Sequence, residues 1–303
     1  MATALATFIP SIWSARFTSN LEDVLVWAAR CNRTYEGEIQ EAGNTVKIPT
    51  STTTVTVKDY VRDTDIADPE LASGTSQDLV VDKQKYFHFY VDDIDEAQSK
   101  PSVINDSMRE AAQQMAEQVD SDVRAEFNKA YASARQVTSG GTSGNAQKRP
   151  NEDGFGKEFI DAVIKLRRMM GVANIPSNGR WLMVHPDIMA GLDRHFLTDG
   201  NTGTFTPNTD ESTLRGGFMG RLAGFDLFES NLQVDGTAIN SVPTWRLYAG
   251  QGTEAVTFAN QITENEMYRP EKRFGDAVKG LMVYGSKTVL PSRLYTLRVK
   301  KYA

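Results

Sequence analysis

The stretch from Ser102 to Arg135, SVINDSMREAAQQMAEQVDSDVRAEFNKAYASAR, carries the strongest helical pattern in the chain. Its apolar residues recur every three or four positions, which is the spacing of one face of an α-helix. They are Ile104, Met108, Ala112, Met115, Val119, Val123, Phe127 and Tyr131. Asp120 and Arg124 have the spacing of a favourable i,i+4 ion pair. At about 1.5 Å per residue the helix would be roughly 50 Å long. A helix of this length would run along a flat, extended subunit.

Before this helix, YEGEIQEAGNTVKIPT (residues 35–50) is typical of the opening of a β-hairpin. Its end alternates, with Val46 and Ile48 on one face. We predict the two limbs over residues 45–61 and 79–92, joined by a tip that is too polar to form a core. In the second limb one face would carry Leu79, Val81, Phe87, Phe89 and Val91, and the other Tyr86, His88 and Tyr90.

The remaining segments alternate between helix and strand patterns. A second helix is predicted around residues 157–170, a buried strand over 181–184 and a short helix over 186–196. From Phe225 to the end the pattern favours short strands separated by turns. Residues 1–34 indicate an arm followed by a short helix. This order predicts an α+β fold.

Composition limits the classes of function. The chain has 303 residues, 40% hydrophobic and 24% charged, which is ordinary for a folded globular protein. Its formal net charge of -6 argues against a dedicated nucleic-acid binder. The single cysteine, Cys31, excludes an intrachain disulfide and a cysteine-rich zinc site. No apolar run approaches the roughly 20 residues that cross a bilayer, and we expect no membrane association.

The only concentration of histidine and aspartate is HPD, residues 185–187, with Asp193 and His195 nearby. A metal-dependent hydrolase would use His185, Asp187 and His195. Zinc helices of the HExxH type place two histidines four residues apart, whereas His185 and His195 are ten apart. A strand end followed by a helix is therefore the favoured interpretation.

The glycine-rich stretch RGGFMGRLAGF, residues 215–225, lacks the GK[ST] ending and the strand–helix setting of a phosphate loop. Turn glycines are the favoured interpretation. Ser230 lacks the G-x-S-x-G setting of a hydrolase nucleophile. We therefore expect a protein that is not an enzyme, with no catalytic residue, cofactor or metal.

Two segments of opposite charge lie near the hairpin and at the end of the chain. Residues 59–82 hold seven acids and one base, and residues 268–303 hold nine bases and two acids. They are either two solvated surfaces, or an acidic hairpin that meets a basic surface on a neighbouring copy. Complementary charge sets register and partner choice, and a head-to-tail contact closes into rings or shells. In the second interpretation the neighbouring copy supplies the core that the hairpin lacks.

The second interpretation assigns contact residues. The acidic ones would be Asp59, Asp63, Asp65, Asp68, Glu70, Asp78 and Asp82. The basic ones would be Arg269, Lys272, Arg273, Lys279, Lys287, Arg293 and Arg298.

The order of arm, hairpin, long helix, mixed region and strand-rich end resembles the major capsid proteins of tailed bacteriophages, which have the Hong Kong 97-type fold. IPSIWS (residues 9–14) followed by the hairpin opening is similar to the start of many of these proteins. GRLAGFDLFESN (220–231) resembles their Gly-Phe strand and Ser-Asn turn, and RFGDAVKGLMVYGSKTVLPSRLYTLRV (273–299) their C-terminal strands. The resemblance covers nearly the whole chain.

The resemblance implies five regions. They are an N-terminal arm and short helix (1–34), an extended hairpin loop (35–98), a peripheral domain with a spine helix (99–150), a mostly axial domain (151–255) and C-terminal strands returning to the peripheral domain (256–303).

The resemblance also implies a function and partners. Copies would assemble through hexamers and pentamers into an icosahedral phage head enclosing double-stranded DNA, which the acidic chain would contact only weakly. Further partners would be a portal and a separate scaffold protein, since no long extension precedes the arm. The protein would be made in the host bacterial cytoplasm and end in the virion. An encapsulin-type bacterial compartment is the alternative within this fold, and the metal-dependent hydrolase is the alternative from another class.

Overall fold

The computed structural model describes residues 21, 25–36, 45–51, 57–60, 62–63, 65, 68, 74–92, 103–139, 148–199, 205–207, 218–239 and 241–302. The helices of this part are α1 (Val103–Lys129), α2 (Phe155–Val172) and α3 (Pro186–Asp199). The strands are β1 (Thr45–Ser51), β2 (Gly74–Val80), β3 (Lys83–Asp92), β4 (Gln136–Thr138), β5 (Arg180–Val184), β6 (Phe205–Pro207), β7 (Phe218–Leu222), β8 (Phe225–Glu229), β9 (Val234–Ile239), β10 (Val242–Gln251), β11 (Val256–Tyr268), β12 (Gly275–Thr288) and β13 (Tyr295–Lys300). The mixture confirms the α+β class.

The long helix α1 is confirmed, but it ends at Lys129 rather than at Arg135. Its 27 residues correspond to roughly 40 Å. The apolar stripe predicted to continue to Tyr131 stops earlier, because Tyr131 lies beyond the helix end, where its ring packs 3.7 Å from the guanidinium carbon of Arg246. A contact with a distant strand thus replaces the last predicted helical turn.

One face of α1 packs against a three-stranded antiparallel sheet of order β11–β12–β3. The predicted stripe is buried at Met108, Ala112, Met115, Val119, Val123 and Phe127. The predicted alternation on β3 is also confirmed, because Val91 is buried and Phe87 and Phe89 pack on the same core, whereas Tyr86 and His88 are exposed. β11 and β12 have 13 and 14 residues and are therefore longer than the short strands predicted.

The hairpin is present, but the prediction that residues 79–92 form its returning limb is wrong. β1 pairs with β2 in antiparallel register, with Val46 opposite Leu79. β3 pairs with β12 instead. The chain changes partner at Val81 and Asp82, between two strands whose side chains alternate in the same way, so the alternation alone does not reveal the break.

The base of the hairpin has a core within its own chain. This core consists of Val46, Ile48, Leu79, Val81, Ala259, Val283 and Val289. Full burial of one such side chain is worth roughly 1.5–3 kcal/mol. The expectation that a neighbouring copy supplies the core of the hairpin is therefore wrong for its base.

A second sheet has eight strands, seven in the order β4–β13–β10–β5–β8–β7–β6 and β9 paired with β10. α2 and α3 cover one face, and the predicted apolar residues of α2 are buried there: Phe159, Val163, Leu166 and Met170. The predicted strand over 181–184 and helix over 186–196 are confirmed as β5 and α3. β7 and β8 are joined by Ala223 (φ 49°) and Gly224 (φ 89°), so the predicted glycine turn is confirmed as well.

The two sheets are joined through Phe127 near the end of α1. Its ring makes edge contacts with Trp27 (5.3 Å between centroids), Trp181 (5.9 Å) and Tyr248 (6.2 Å). Trp27 belongs to the N-terminal segment, which forms a 3-10 helix over Ala28–Arg30. One aromatic cluster therefore connects the N-terminal segment, the long helix and the eight-stranded sheet.

Several predictions fall outside the described residues. These are residues 1–20 of the arm and most of the hairpin tip. The limits of the five regions stay predictions. No helix in the described part of the chain combines the length and apolar character needed to cross a lipid bilayer.

Candidate assembly surfaces

The described residues of the connection between β1 and β2 are exposed, and we call residues 57–60, 62–63, 65 and 68 the tip. In its described part, Val57 is 95% exposed and Tyr60 is 73% exposed. Burying apolar surface is worth about 25 cal/mol per Å². Two large exposed apolar side chains three residues apart therefore mark a surface that gains free energy when another molecule covers it.

Predicted acidic contact residues lie in the same segment as these apolar side chains. The exposed members on the tip are Asp59, Asp63, Asp65 and Asp68. Asp78 on β2 and Asp82 after it are exposed as well, and Glu70 lies outside the described residues. The tip thus combines negative charge with Val57 and Tyr60. The sequence analysis did not predict that Val57 and Tyr60 form an exposed apolar pair. Two large apolar residues within a polar stretch are the signal that could have revealed it.

The face of the three-stranded sheet that points away from α1 carries aromatic and charged side chains. Tyr86 (79% exposed) lies opposite Leu281 (39% exposed) across β3 and β12. His88 lies opposite Lys279, and its Nε2 is 3.0 Å from the hydroxyl of Tyr268. This outer face is therefore an exposed surface of mixed apolar and charged character.

The seven predicted basic contact residues lie on several separate elements and not on one. Three of them, Arg269, Lys272 and Arg273, are exposed on the turn between β11 and β12. This basic turn also holds Phe274, which is 81% exposed. The guanidinium of Arg273 lies 5.7 Å from the ring centre of Tyr90, which fixes it beside the outer face of the sheet.

The other four basic residues are less available for a partner or lie elsewhere. Lys279 forms an ion pair of 2.7 Å with Glu266, and Arg293 one of 2.8 Å with Glu254. Lys287 is exposed near the end of β12, and Arg298 is half-buried on β13 in the other sheet. Whether any of the seven contacts another subunit stays a prediction.

The predicted ion pair between Asp120 and Arg124 is wrong. Asp120 is 4% exposed, and its carboxylate accepts backbone N–H bonds from Val26 (2.8 Å), Trp27 (3.2 Å) and Ala28 (3.0 Å). Burial raises the pKa of Asp120, and the three N–H donors oppose that shift. Asp120 therefore fastens the N-terminal segment to α1.

A side-chain bond extends this attachment to the eight-stranded sheet. The indole Nε1 of Trp27 donates a 3.0 Å hydrogen bond to Ser230 Oγ, just after β8. Ser230 lies in the GRLAGFDLFESN stretch. Its role in the described structure is therefore to anchor Trp27.

The residues of the hydrolase alternative do not form one site, because Asp187 Oδ2 lies 3.4 Å from His185 Nδ1 but His195 lies apart from both. His185 stacks on Trp245 at 3.9 Å, and its Nδ1 accepts the N–H of Asp187 at 3.2 Å. Burial lowers the pKa of His185, with Asp187 acting in the opposite direction. His195 lies ten residues further on, near the other end of α3, so about 15 Å separates the two along the helix axis. Among the described residues, no group of three or more His, Cys, Asp and Glu side chains could hold a metal ion.

A family described as phage capsid protein matches residues 74–297, from the start of β2 into β13. The chain belongs to the phage capsid protein family. This capsid protein is accordingly a component of the virion, and its family and fold are those of structural rather than enzymatic proteins. No curated protein matches its sequence.

Solved structures agree with the family. A chain of Mycobacterium phage Che8 is similar with a TM-score of 0.63 and 25% identity over 90% of both chains. A chain from the capsid of Ralstonia phage GP4 has a TM-score of 0.64 at 11% identity, covering 88% of this chain and 86% of that one. The holo-SrpI encapsulin complex from Synechococcus elongatus PCC 7942 has a TM-score of 0.54 at 12% identity, covering 85% and 82%. These matches confirm the Hong Kong 97-type fold.

Proposed function

We propose that this capsid protein is the major capsid protein of its phage, and that it self-assembles through hexamers and pentamers into an icosahedral head enclosing double-stranded DNA. The observation that carries the proposal is the family match over residues 74–297, which includes α1, the three-stranded sheet and the eight-stranded sheet as far as the first half of β13. The exposed apolar and charged surfaces of the monomer support the proposal, because large exposed apolar side chains mark a surface that contacts another molecule.

The proposal includes one contact between copies. The acidic tip, with Val57 and Tyr60, packs on the basic turn of a neighbouring copy, where Arg269, Lys272 and Arg273 surround Phe274. Apolar side chains on both sides supply affinity, and the opposite charges supply register. The full set of acidic and basic contact residues given above is retained as the wider candidate surface.

A charge-reversal series tests this contact. The tip variant carries Asp63→Lys, Asp65→Lys and Asp68→Lys. The control variant carries Asp106→Lys, Asp153→Lys and Asp161→Lys, which change net charge equally at exposed positions on or beside α1 and α2. The compensated variant adds Arg269→Glu, Lys272→Glu and Arg273→Glu to the tip variant.

We expect the tip variant to lose shells in negative-stain electron microscopy and light scattering while its circular dichroism and thermal unfolding stay those of the wild type. The control variant should assemble. The compensated variant should regain assembly, because the restored charge complementarity acts between copies. Normal shells from the tip variant would refute the contact. If the tip variant loses shells and the compensated variant does not regain them, the acidic tip contacts a surface other than the basic turn.

Partners other than the chain itself follow from the resemblance. We propose a separate scaffold protein, a portal and packaged double-stranded DNA that is contacted weakly. The net charge of -6 supports weak contact, because the chain as a whole repels phosphates. Co-expression with each candidate scaffold, followed by counting of closed against aberrant particles, tests the first of these partners.

A second candidate function is the shell of an encapsulin-type compartment, favoured by the likeness to the SrpI encapsulin complex. The contents of purified particles separate the two functions. A co-purified protein cargo without nucleic acid would favour the compartment, and packaged DNA would favour the phage head.

A further inference from the structure

The loop between α2 and β5 contains the only Asn-Gly pair of the sequence, Asn178 and Gly179. Asparagine is among the chemically labile residues of proteins, and its side-chain amide lies within reach of the backbone nitrogen of the next residue. A glycine at that next position lacks the Cβ that would otherwise hinder the approach. The pair is therefore a candidate for spontaneous chemical change, and its surroundings decide whether the reaction can occur.

Both residues of the pair are exposed, although the loop that carries them is anchored. Arg180 is 5% exposed and donates hydrogen bonds to the carbonyl oxygens of Ile175 (2.6 Å) and Pro176 (2.8 Å), which hold the first part of the loop. Gly179 has a φ of 68°, in the left-handed region that favours glycine. Solvent therefore reaches both residues on a loop whose course is fixed by its neighbours.

The hydrogen bonds of the pair involve its carbonyl groups. The N–H of Gly252 donates to the Gly179 oxygen at 2.9 Å, and Gln251 Nε2 donates to the Asn178 oxygen at 3.3 Å. In the described part of the chain, no hydrogen bond engages the N–H of Gly179 or the side-chain amide of Asn178. The nitrogen that would attack and the amide that it would attack are therefore both free.

Three other exposed asparagines lack this combination. The N–H after Asn174 donates to the carbonyl oxygen of Met170 at 3.0 Å, and the N–H after Asn151 donates to that of Arg149 at 2.9 Å. The N–H after Asn231 donates to a serine hydroxyl at 3.2 Å. In each case the following nitrogen is held by a hydrogen bond and belongs to a residue with a Cβ, so these asparagines serve as internal controls.

We propose that Asn178 is a site of spontaneous deamidation. The nitrogen of Gly179 gives up its proton and forms a bond to Cγ of Asn178, while the bond from Cγ to Nδ2 breaks and ammonia leaves with that proton. The product is a five-membered cyclic imide. Water then adds to one of the two carbonyl carbons of the imide and reopens the ring, which gives aspartate or isoaspartate at this position.

Both products add a negative charge at position 178, and isoaspartate also lengthens the backbone of that residue by a carbon atom. The added atom moves the carbonyl group of Gly179 away from Gly252, at the point where β5 begins to pair with β10. A subunit in a shell is not replaced, so the modified fraction rises with the age of the particle. That consequence rests on the proposed function, whereas the reaction itself needs only the folded chain.

Peptide mass spectrometry of the unassembled full chain, incubated at physiological pH and temperature, tests the proposal. Trypsin releases Asn174 and Asn178 on one peptide, residues 169–180, so fragmentation compares the two sites in the same molecules. A second sample is incubated in denaturant, where the hydrogen bonds of the loop are lost. Asn178→Gln is the matched variant, because it keeps the amide but has a side chain too long to close a five-membered ring.

We expect Asn178 in the folded chain to convert at least about tenfold faster than Asn174, because only Asn178 precedes a free N–H on a residue without a Cβ. Both aspartate and isoaspartate should form. Asn178→Gln should unfold like the wild type and show no conversion at position 178. Conversion of Asn178 only in denaturant, or in neither sample, would overturn the proposal, and so would equal conversion of Asn174 and Asn178. None of these outcomes depends on shell formation.

Discussion

Replacing Asp120 with alanine tests how the N-terminal segment is held on α1. The carboxylate of Asp120 accepts three backbone N–H groups, from Val26, Trp27 and Ala28. Asp120→Ala leaves these donors without an acceptor in a buried place, and each such donor costs about 1–3 kcal/mol. Asp120→Ala also removes the cost of burying a carboxylate, which offsets part of that destabilisation. We therefore expect the lower bound, about 3 kcal/mol of destabilisation.

Hydrogen exchange shows which part of the chain loses stability in Asp120→Ala. A loss of about 3 kcal/mol corresponds to a roughly 100-fold larger opening equilibrium, so the amides of residues 26–28 should exchange about that much faster. Urea unfolding followed by tryptophan fluorescence measures the global part. Asp106→Ala is the control, because Asp106 is an exposed aspartate on the same helix.

Equal destabilisation by Asp120→Ala and Asp106→Ala would refute the reasoning. Slower exchange at residues 26–28 in the Asp120 variant would refute it too. Asp120→Asn keeps one acceptor oxygen and should fall between the wild type and Asp120→Ala, with Trp27 still bonded to Ser230.

Three further predictions concern single side chains. Phe127→Ala should cost about 3–5 kcal/mol in urea unfolding, because Phe127 is fully buried in the aromatic cluster; a loss below about 1 kcal/mol would contradict this. Gly224→Ala should cost about 1–2 kcal/mol from its φ of 89° alone, since a Cβ there meets only Arg167 Cδ at 3.8 Å, and no loss would contradict the turn geometry. Burial, and then the charge of Asp193, raises the pKa of Glu229. The folded chain therefore binds the proton of Glu229 more tightly than the unfolded chain does. The stability is fully present below the ordinary glutamate pKa of about 4 and is lost as the pH rises and Glu229 ionises. Glu229→Gln should therefore gain stability over the wild type at pH 7, with the gain shrinking towards pH 4, and a gain independent of pH would contradict the assignment.

Local patterns in the sequence predict the elements that bury one regular face. The stripe from Met108 to Phe127 is buried because α1 lies flat on a sheet, so that its 3.6-residue period directly reports the packing. The same holds for the alternation of Phe87, Tyr86 and their neighbours on β3. The order of these elements along the chain is enough to indicate the capsid fold.

Other features depend on partners that are distant in the sequence. Residues 79–92 alternate without interruption, and only the pairing of β3 with β12 shows that two strands are present. Asp120 and Arg124 have the spacing of a surface ion pair, and the burial of Asp120 results from a segment more than 90 residues earlier. Arg298 is one basic residue among several in the sequence, and only the pairing of β13 with β10 places it opposite Arg246.

Electron microscopy of the full chain, purified alone with and without a crowding polymer and also after co-expression with each candidate scaffold protein, tests most directly that this protein builds a shell. We predict closed particles whose capsomers have five and six subunits. A chain that stays monomeric under all of these conditions, with the tip around Val57 and Tyr60 still open to solvent, would contradict this prediction.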